Sequence, residues 1–110
     1  MRVVVVDDQS RTHATIRHLL GHAYTVMHYP HGSLAVDFVL EQAPALVFVS
    51  LDLKDVDGVT LVKRLSTEPG CPPVICVCEE ARPSRIVAAV RAGAQDVVAY
   101  PFVADEVEAA

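Results

Sequence analysis

Short apolar runs and segments with a helical period alternate along the whole chain. Continuous runs of β-branched residues are typical of strands covered on both faces, and apolar residues three and four positions apart are typical of helices. Gly21, Pro69-Gly70 and Gly93 stand where helices are expected to end. Ser10 is predicted to cap the first helix. The pattern predicts strands at 2–6, 24–29, 46–50, 74–78 and 96–100, with helices between them.

The order of these elements favours an α/β fold, a doubly wound parallel sheet. Each connection between strands is long enough for a helix, and right-handed crossovers place helices on both faces of the sheet. Only the first residues of a final helix, from about Ala104, are present, so the last helix is expected to be short or truncated. The chain length of 110 residues suits one hydrophobic core, and we expect a single domain over 1–110.

Composition and charge argue against several classes of function. The formal charge of −5 and the lack of a Lys/Arg cluster argue against direct nucleic-acid binding by this segment. Two aspartates interrupt the first apolar run long before the length of a signal peptide or membrane span, which predicts a cytoplasmic protein without a membrane association. Three cysteines without a CxxC pair are expected to be reduced, structural thiols.

The residues that end the predicted strands are the candidates for chemistry, because ligands of such sheets bind beyond the carboxyl ends of the strands. This set combines two acids with three neutral side chains: Asp7, Asp8, Ser50, Cys78 and Tyr100. It contains no nucleophile, base and oxyanion-binding group that work together, so a small α/β enzyme using the acidic edge is the least favoured alternative.

A second pair of candidates lies on the first predicted helix. His18 and His22 are four residues apart and could share a metal ion, although exposed helix polarity explains them better.

From Val3 to Glu106 the chain resembles the receiver domain of two-component response regulators. The segments that carry the resemblance are VVVVDDQ, PALVFVSL followed by VDGVTLVKRL, then PPVICVC and RAGAQDVVAYPF. The resemblance implies a flavodoxin-like (CheY-like) fold and a role in phosphorelay signal transduction. It also implies that 1–110 is the N-terminal part of a larger regulator.

The resemblance implies a site that differs from the family's pattern. The family's acidic pair, which holds Mg²⁺, falls on Asp7 and Asp8. The family's phosphoacceptor aspartate lies six residues after a proline and seven before an Asp-Gly pair, and both counts, from Pro44 and from Asp57, reach Ser50.

Three further positions of the family's switch are also substituted. The usual Ser/Thr is Cys78, the usual lysine is Tyr100, and the switch aromatic is Val97. We therefore expect a pseudo-receiver that works independently of phosphorylation, is not an enzyme, requires no cofactor and holds Mg²⁺ weakly at most.

Two alternatives and a set of partners complete these expectations. Asp52 is the alternative acceptor if the chain is a conventional phosphoreceiver with Mg²⁺, and the ammonium of Lys54 could neutralise the acids in place of a metal. The expected partners are proteins: an output domain, a histidine kinase or another signalling protein. A homodimer through the fourth helix and fifth strand is also expected.

Overall fold

A five-stranded parallel sheet with strand order β2-β1-β3-β4-β5 forms the centre of the molecule. The computed structural model describes residues 1–99. The strands are β1 (Arg2–Val6), β2 (Thr25–Tyr29), β3 (Leu46–Ser50), β4 (Val74–Cys78) and β5 (Asp96–Ala99). The helices are α1 (Ser10–Leu20), α2 (Ala35–Gln42), α3 (Gly58–Ser66) and α4 (Pro83–Ala92), with single 3₁₀ turns at Gly21–Ala23 and Gly32–Leu34. The predicted α/β doubly wound sheet is confirmed.

The sheet buries apolar side chains on both of its faces. Successive residues of a strand point to opposite faces, so Val4 and Val6 of β1 pack with the side chains of α2, α3 and α4, whereas Val3 and Val5 pack with Ile16 of α1. All four valines are fully buried. Burial on both faces explains why 3–6 of β1 and all of β4 are apolar instead of alternating with polar residues.

The strand register brings the candidate residues to one edge. Val6 pairs with Val49, so Asp7 follows β1 beside Ser50 at the end of β3. Ser50 in turn pairs with Val77, one residue before Cys78 at the end of β4. The carboxyl ends of three adjacent strands therefore meet at one place.

Two local expectations were wrong. Ser10 is the first residue of α1 and not its cap; the cap position is the extended Gln9, which makes no side-chain capping bond. The N–H of Gln9 donates to Asp7 Oδ1 at 3.0 Å and holds Gln9 extended, so the helix begins at Ser10, one position earlier than a Ser10 cap predicts. Strand β2 begins at Thr25, one residue after the predicted start, because Tyr24 ends the 3₁₀ turn.

The predicted final helix and Tyr100 lie outside the described residues. Within 1–99, no helix is long and apolar enough to span a bilayer.

Candidate functional site

A shallow cleft of about 10 Å³ lies at the carboxyl edge of β1, β3 and β4. Its walls include Asp7, Ser50, Asp52, Cys78 and Glu79. The chain leaves β1 toward β2 on one side and reaches β3 on the other, so this is the point where ligands of doubly wound sheets bind. The cleft has room for about one water molecule.

Asp7 and Asp8 form the acidic side of the site. Asp7 is only 5% exposed, and its burial raises the pKa of its carboxyl group although hydrogen bonds from the Thr12 side chain and the Gln9 amide act in the opposite direction. Asp8 Oδ2 accepts the backbone N–H of Lys54 at 3.1 Å. The other oxygen, Asp8 Oδ1, is buried and has no hydrogen-bond partner.

The acidic pair fits a hard cation in part. A buried carboxylate oxygen without a partner, beside a second buried carboxylate, is the donor type that Mg²⁺ prefers, and Mg²⁺ commonly keeps several waters. Within 1–99, however, no three His, Cys, Asp or Glu side chains come together as a metal site. Asp7 and Asp8 are the carboxylates that would hold the ion.

Ser50 ends β3 and is 4% exposed. Its hydroxyl oxygen accepts the backbone N–H of Asp52 at 3.0 Å, a bond of the kind by which serine side chains close turns. The next residue continues the sheet ladder, because Leu51 N–H donates to Val77 O at 2.8 Å. The Ser50 side chain thus shapes the turn that leaves the sheet.

Asp52 faces the cleft, and both of its carboxylate oxygens accept hydrogen bonds. Oδ2 accepts the backbone N–H of Glu79 at 3.0 Å, and Oδ1 accepts Nη2 of Arg85 at 2.7 Å. Partial burial would raise the pKa of Asp52, but the hydrogen bonds from Glu79 and Arg85 and the charge of the guanidinium outweigh it and lower that pKa. The carboxylate therefore stays ionised and joined to α4.

Arg85 is the residue of the site that sequence reasoning missed. It lies two residues after Pro83 in the first turn of α4, where the helix dipole disfavours a cation. The Asp52 carboxylate, across the cleft, pairs with it and offsets this cost. A second ion pair, between Arg11 of α1 and Glu79, crosses the same edge and was missed as well.

The other positions that were predicted to belong to the site, Cys78, Val97 and Lys54, lie in different environments. Cys78 is buried, which raises the pKa of its thiol, and Sγ lies 3.9 Å from Val98 O. Val97 of β5 is half-buried and packs against the core on the α2–α4 face. The structure gives Lys54 a different contact from the one expected, because its backbone N–H and not its ammonium meets Asp8.

Asp57 and Gly58 fix the start of α3 against the end of β3. The Asp57 carboxylate accepts both the N–H and the hydroxyl of Thr60, at 3.3 and 2.9 Å, and so caps the helix. A Cβ at position 58 would lie 2.6 Å from Ser50 O and 2.7 Å from Leu51 Cα. Glycine lets the two elements approach this closely.

Comparison with known proteins agrees with this geometry. The chain is 28% identical over 108 residues to the chemotaxis protein CheY of Bacillus subtilis, a match that covers 96% of this chain and 90% of that protein. It is 26% identical to the regulatory protein AtoC of Escherichia coli, of which it spans 23%. The crystal structure of the receiver domain of NtrX from Brucella abortus superposes with a TM-score of 0.81 at 26% identity, covering 97% of this chain and 92% of that one.

A profile of the family described as response regulator receiver domain matches residues 3–110. That match covers nearly the whole chain, and the solved receiver domain superposes on nearly the same residues. The chain belongs to the response regulator receiver domain family.

Proposed function

We propose that this receiver domain signals independently of phosphorylation, through contacts with protein partners. The observation that carries the proposal is Ser50 at the end of β3, beside Asp7, with its hydroxyl bonded into the turn. A carboxylate can accept a phosphoryl group as a reactive acyl phosphate, whereas a serine hydroxyl needs a base to attack and forms a stable ester. No histidine lines the cleft within the described residues.

The alternative acceptor, Asp52, is poorly placed for that role. It lies in the turn two residues beyond β3, and both of its oxygens already accept hydrogen bonds. Attack on a phosphodonor would require it to leave the Arg85 guanidinium. We therefore assign Asp52 to the contact with α4.

Magnesium is not required by this proposal. When bound, Mg²⁺ neutralises the charge of a transferred phosphoryl group, and Asp7 and Asp8 would hold it. Two carboxylates without a third support weak binding at most, because affinity for such cations follows the number of charged ligands.

The proposed output surface is the exposed side of α4 together with β5. Val87 is 46% exposed and Val90 is 50% exposed, and residues three apart lie on one side of a helix. Exposed apolar side chains that lie together are typical of protein contacts.

The partners we propose are an output domain, another signalling protein, or a second copy of the chain. We also propose that the chain is the N-terminal receiver part of a larger regulator: it spans 23% of the matched E. coli protein, whereas it spans 90% of the B. subtilis relative.

Incubation with acetyl phosphate and Mg²⁺, followed by intact-mass analysis, tests phosphorylation independence. We expect no phosphoryl adduct on the natural chain, while the CheY relative from B. subtilis serves as the positive control. A hydroxylamine-labile adduct that disappears in Asp52→Asn would overturn the proposal and establish Asp52 as the acceptor.

The output surface is tested separately. Val87→Ser/Val90→Ser should reduce self-association measured by light scattering, whereas Leu34→Ser should not, although Leu34 is 59% exposed on another part of the molecule. Equal self-association of all three proteins would remove α4 from the proposed interface.

A further inference from the structure

One part of the chain lacks acidic residues and holds all of the histidines. Between Asp8 and Asp37 there is no acidic residue, but this stretch holds Arg11, Arg17 and all five histidines of the protein. The formal charge of 9–36 is therefore +2 at pH 7, and the rest of the chain carries −7.

The fold gathers part of this stretch around a groove beside α1 and β2, which we call the α1–β2 groove. Its volume is about 760 Å³. The polar side chains that line it are His13, Arg17, His18, His22, Tyr24 and Thr25, and no acidic residue of 1–99 lines it. Such a groove presents positive potential to a ligand and no carboxylate that would repel an anion.

The side chains of the groove have two different environments. His13 is half-buried, its ring stacks on His28 with centroids 5.2 Å apart, and its Nε2 lies 3.3 Å from Val26 O. Arg17, His18 and His22 are exposed. Within residues 1–99, Arg17 makes no ion pair. The inner end of the groove is thus held by packing, and the cationic rim is open to a partner.

The spacing of the cationic side chains indicates the shape of the ligand. Arg17 and His18 follow His13 on α1 with a helical rise of about 6 to 8 Å, and His22 lies in the 3₁₀ turn beyond the end of α1, so the groups form a row and do not converge on one point. An extended peptide places side chains on one face about 7 Å apart. Two or three carboxylates of such a peptide match the row, whereas a single phosphate would reach only one or two of these groups.

We infer that the α1–β2 groove binds an acidic, extended segment of a partner protein. The surface is separate from the cleft around Ser50 and from the valines of α4, so it does not depend on the proposed function.

Fluorescence anisotropy with a peptide of alternating glutamate and serine tests the inference. Arg17→Gln/His18→Gln/His22→Gln should bind about tenfold more weakly than the natural chain, since each exposed charge pair adds a few tenths to one kcal/mol. Lys63→Gln/Arg64→Gln on α3 is the control, because it removes two exposed charges from another surface. It should bind nearly as the natural chain does.

Two results would overturn the inference: equal binding of a glutamine–serine peptide, or equal loss in the α3 control. An oligonucleotide that displaces the peptide at equal charge concentration would assign the groove to phosphate instead. Loss of self-association in the triple variant without peptide would assign it to a second copy. If thermal unfolding shows the triple variant to be misfolded, Arg17→Gln alone should still weaken binding about threefold.

Discussion

Ser50 and Asp52 line the same cleft and stabilise different parts of it. The Ser50 hydroxyl accepts the N–H of Asp52 and closes the turn after β3. The Asp52 carboxylate then reaches across to Glu79 and to Arg85 of α4. The contact between the β3 turn and α4, which a phosphoryl group could otherwise influence, is made here by an ion pair.

Ser50→Asp should restore metal binding without restoring a switch. A third carboxylate beside Asp7 and Asp8 should tighten Mg²⁺ binding by roughly tenfold, measured by calorimetric titration, and Ser50→Asn should not. Phosphorylation-driven dimerisation of Ser50→Asp alone would contradict this prediction, because Val97 and Tyr100 remain at the other switch positions.

Arg85→Met should raise the pKa of Asp52 toward its ordinary value, as followed by NMR titration of the carboxyl carbon. A carboxyl group with a lowered pKa in the folded state stabilises the fold above its unfolded-state pKa, and that contribution is lost as the pH falls through the folded-state pKa. The natural chain should therefore exceed Arg85→Met in stability at neutral pH and match it in strong acid. Arg82→Met is the control, since Arg82 pairs with Glu80; an equal pKa change there would refute the assignment.

At the scale of elements, alanine substitutions at the starts of α3 and α1 should have different effects on stability. Asp57→Ala removes the cap of α3 and should lower the free energy of unfolding by about 1 kcal/mol in urea. Ser10→Ala should change it by less than about 0.5 kcal/mol, because Ser10 is exposed and caps nothing. Equal costs would mean that the α1 start has been assigned incorrectly.

Gly58→Ala tests the close approach of α3 to β3. The added methyl group would meet Ser50 O and Leu51 Cα at under 3 Å, so one of the two elements must shift. We expect a loss of roughly 2 kcal/mol in urea unfolding, compared with little change for the exposed Ser84→Ala. A loss as small as that of the control would show that the turn adapts freely.

The strands and helices could be predicted from the sequence where the residues that determine them are close together in the chain. The unbroken apolar run of β3 and its abrupt end at Ser50 predicted both a buried strand and the place of the cleft, and Asp57-Gly58 marked the start of α3. The Asp52–Arg85 pair was not predictable, because 33 residues separate its members and only the position of α4 across the cleft brings them together. The start of α1 was missed because a serine before a helix has the same local pattern whether it caps or not.

At the scale of the whole molecule, the two proposed contact surfaces lie on opposite sides of the sheet. Helix α1 packs on the face with Val3 and Val5, and α4 packs on the face with Val4 and Val6. The apolar surface of α4 and the cationic α1–β2 groove could therefore engage two partners at once. Neither surface contains a group that a phosphoryl transfer would alter directly.

The most direct test of phosphorylation independence is an amide NMR spectrum of the natural chain, recorded with and without Mg²⁺ and beryllofluoride. We predict changes confined to residues around Asp7 and Asp8, with the resonances of α4 and β5 unmoved. Shifts that extend through Arg85, Val87 and Val90 would show that the cleft still accepts a phosphoryl mimic and transmits it to α4, and would contradict the account.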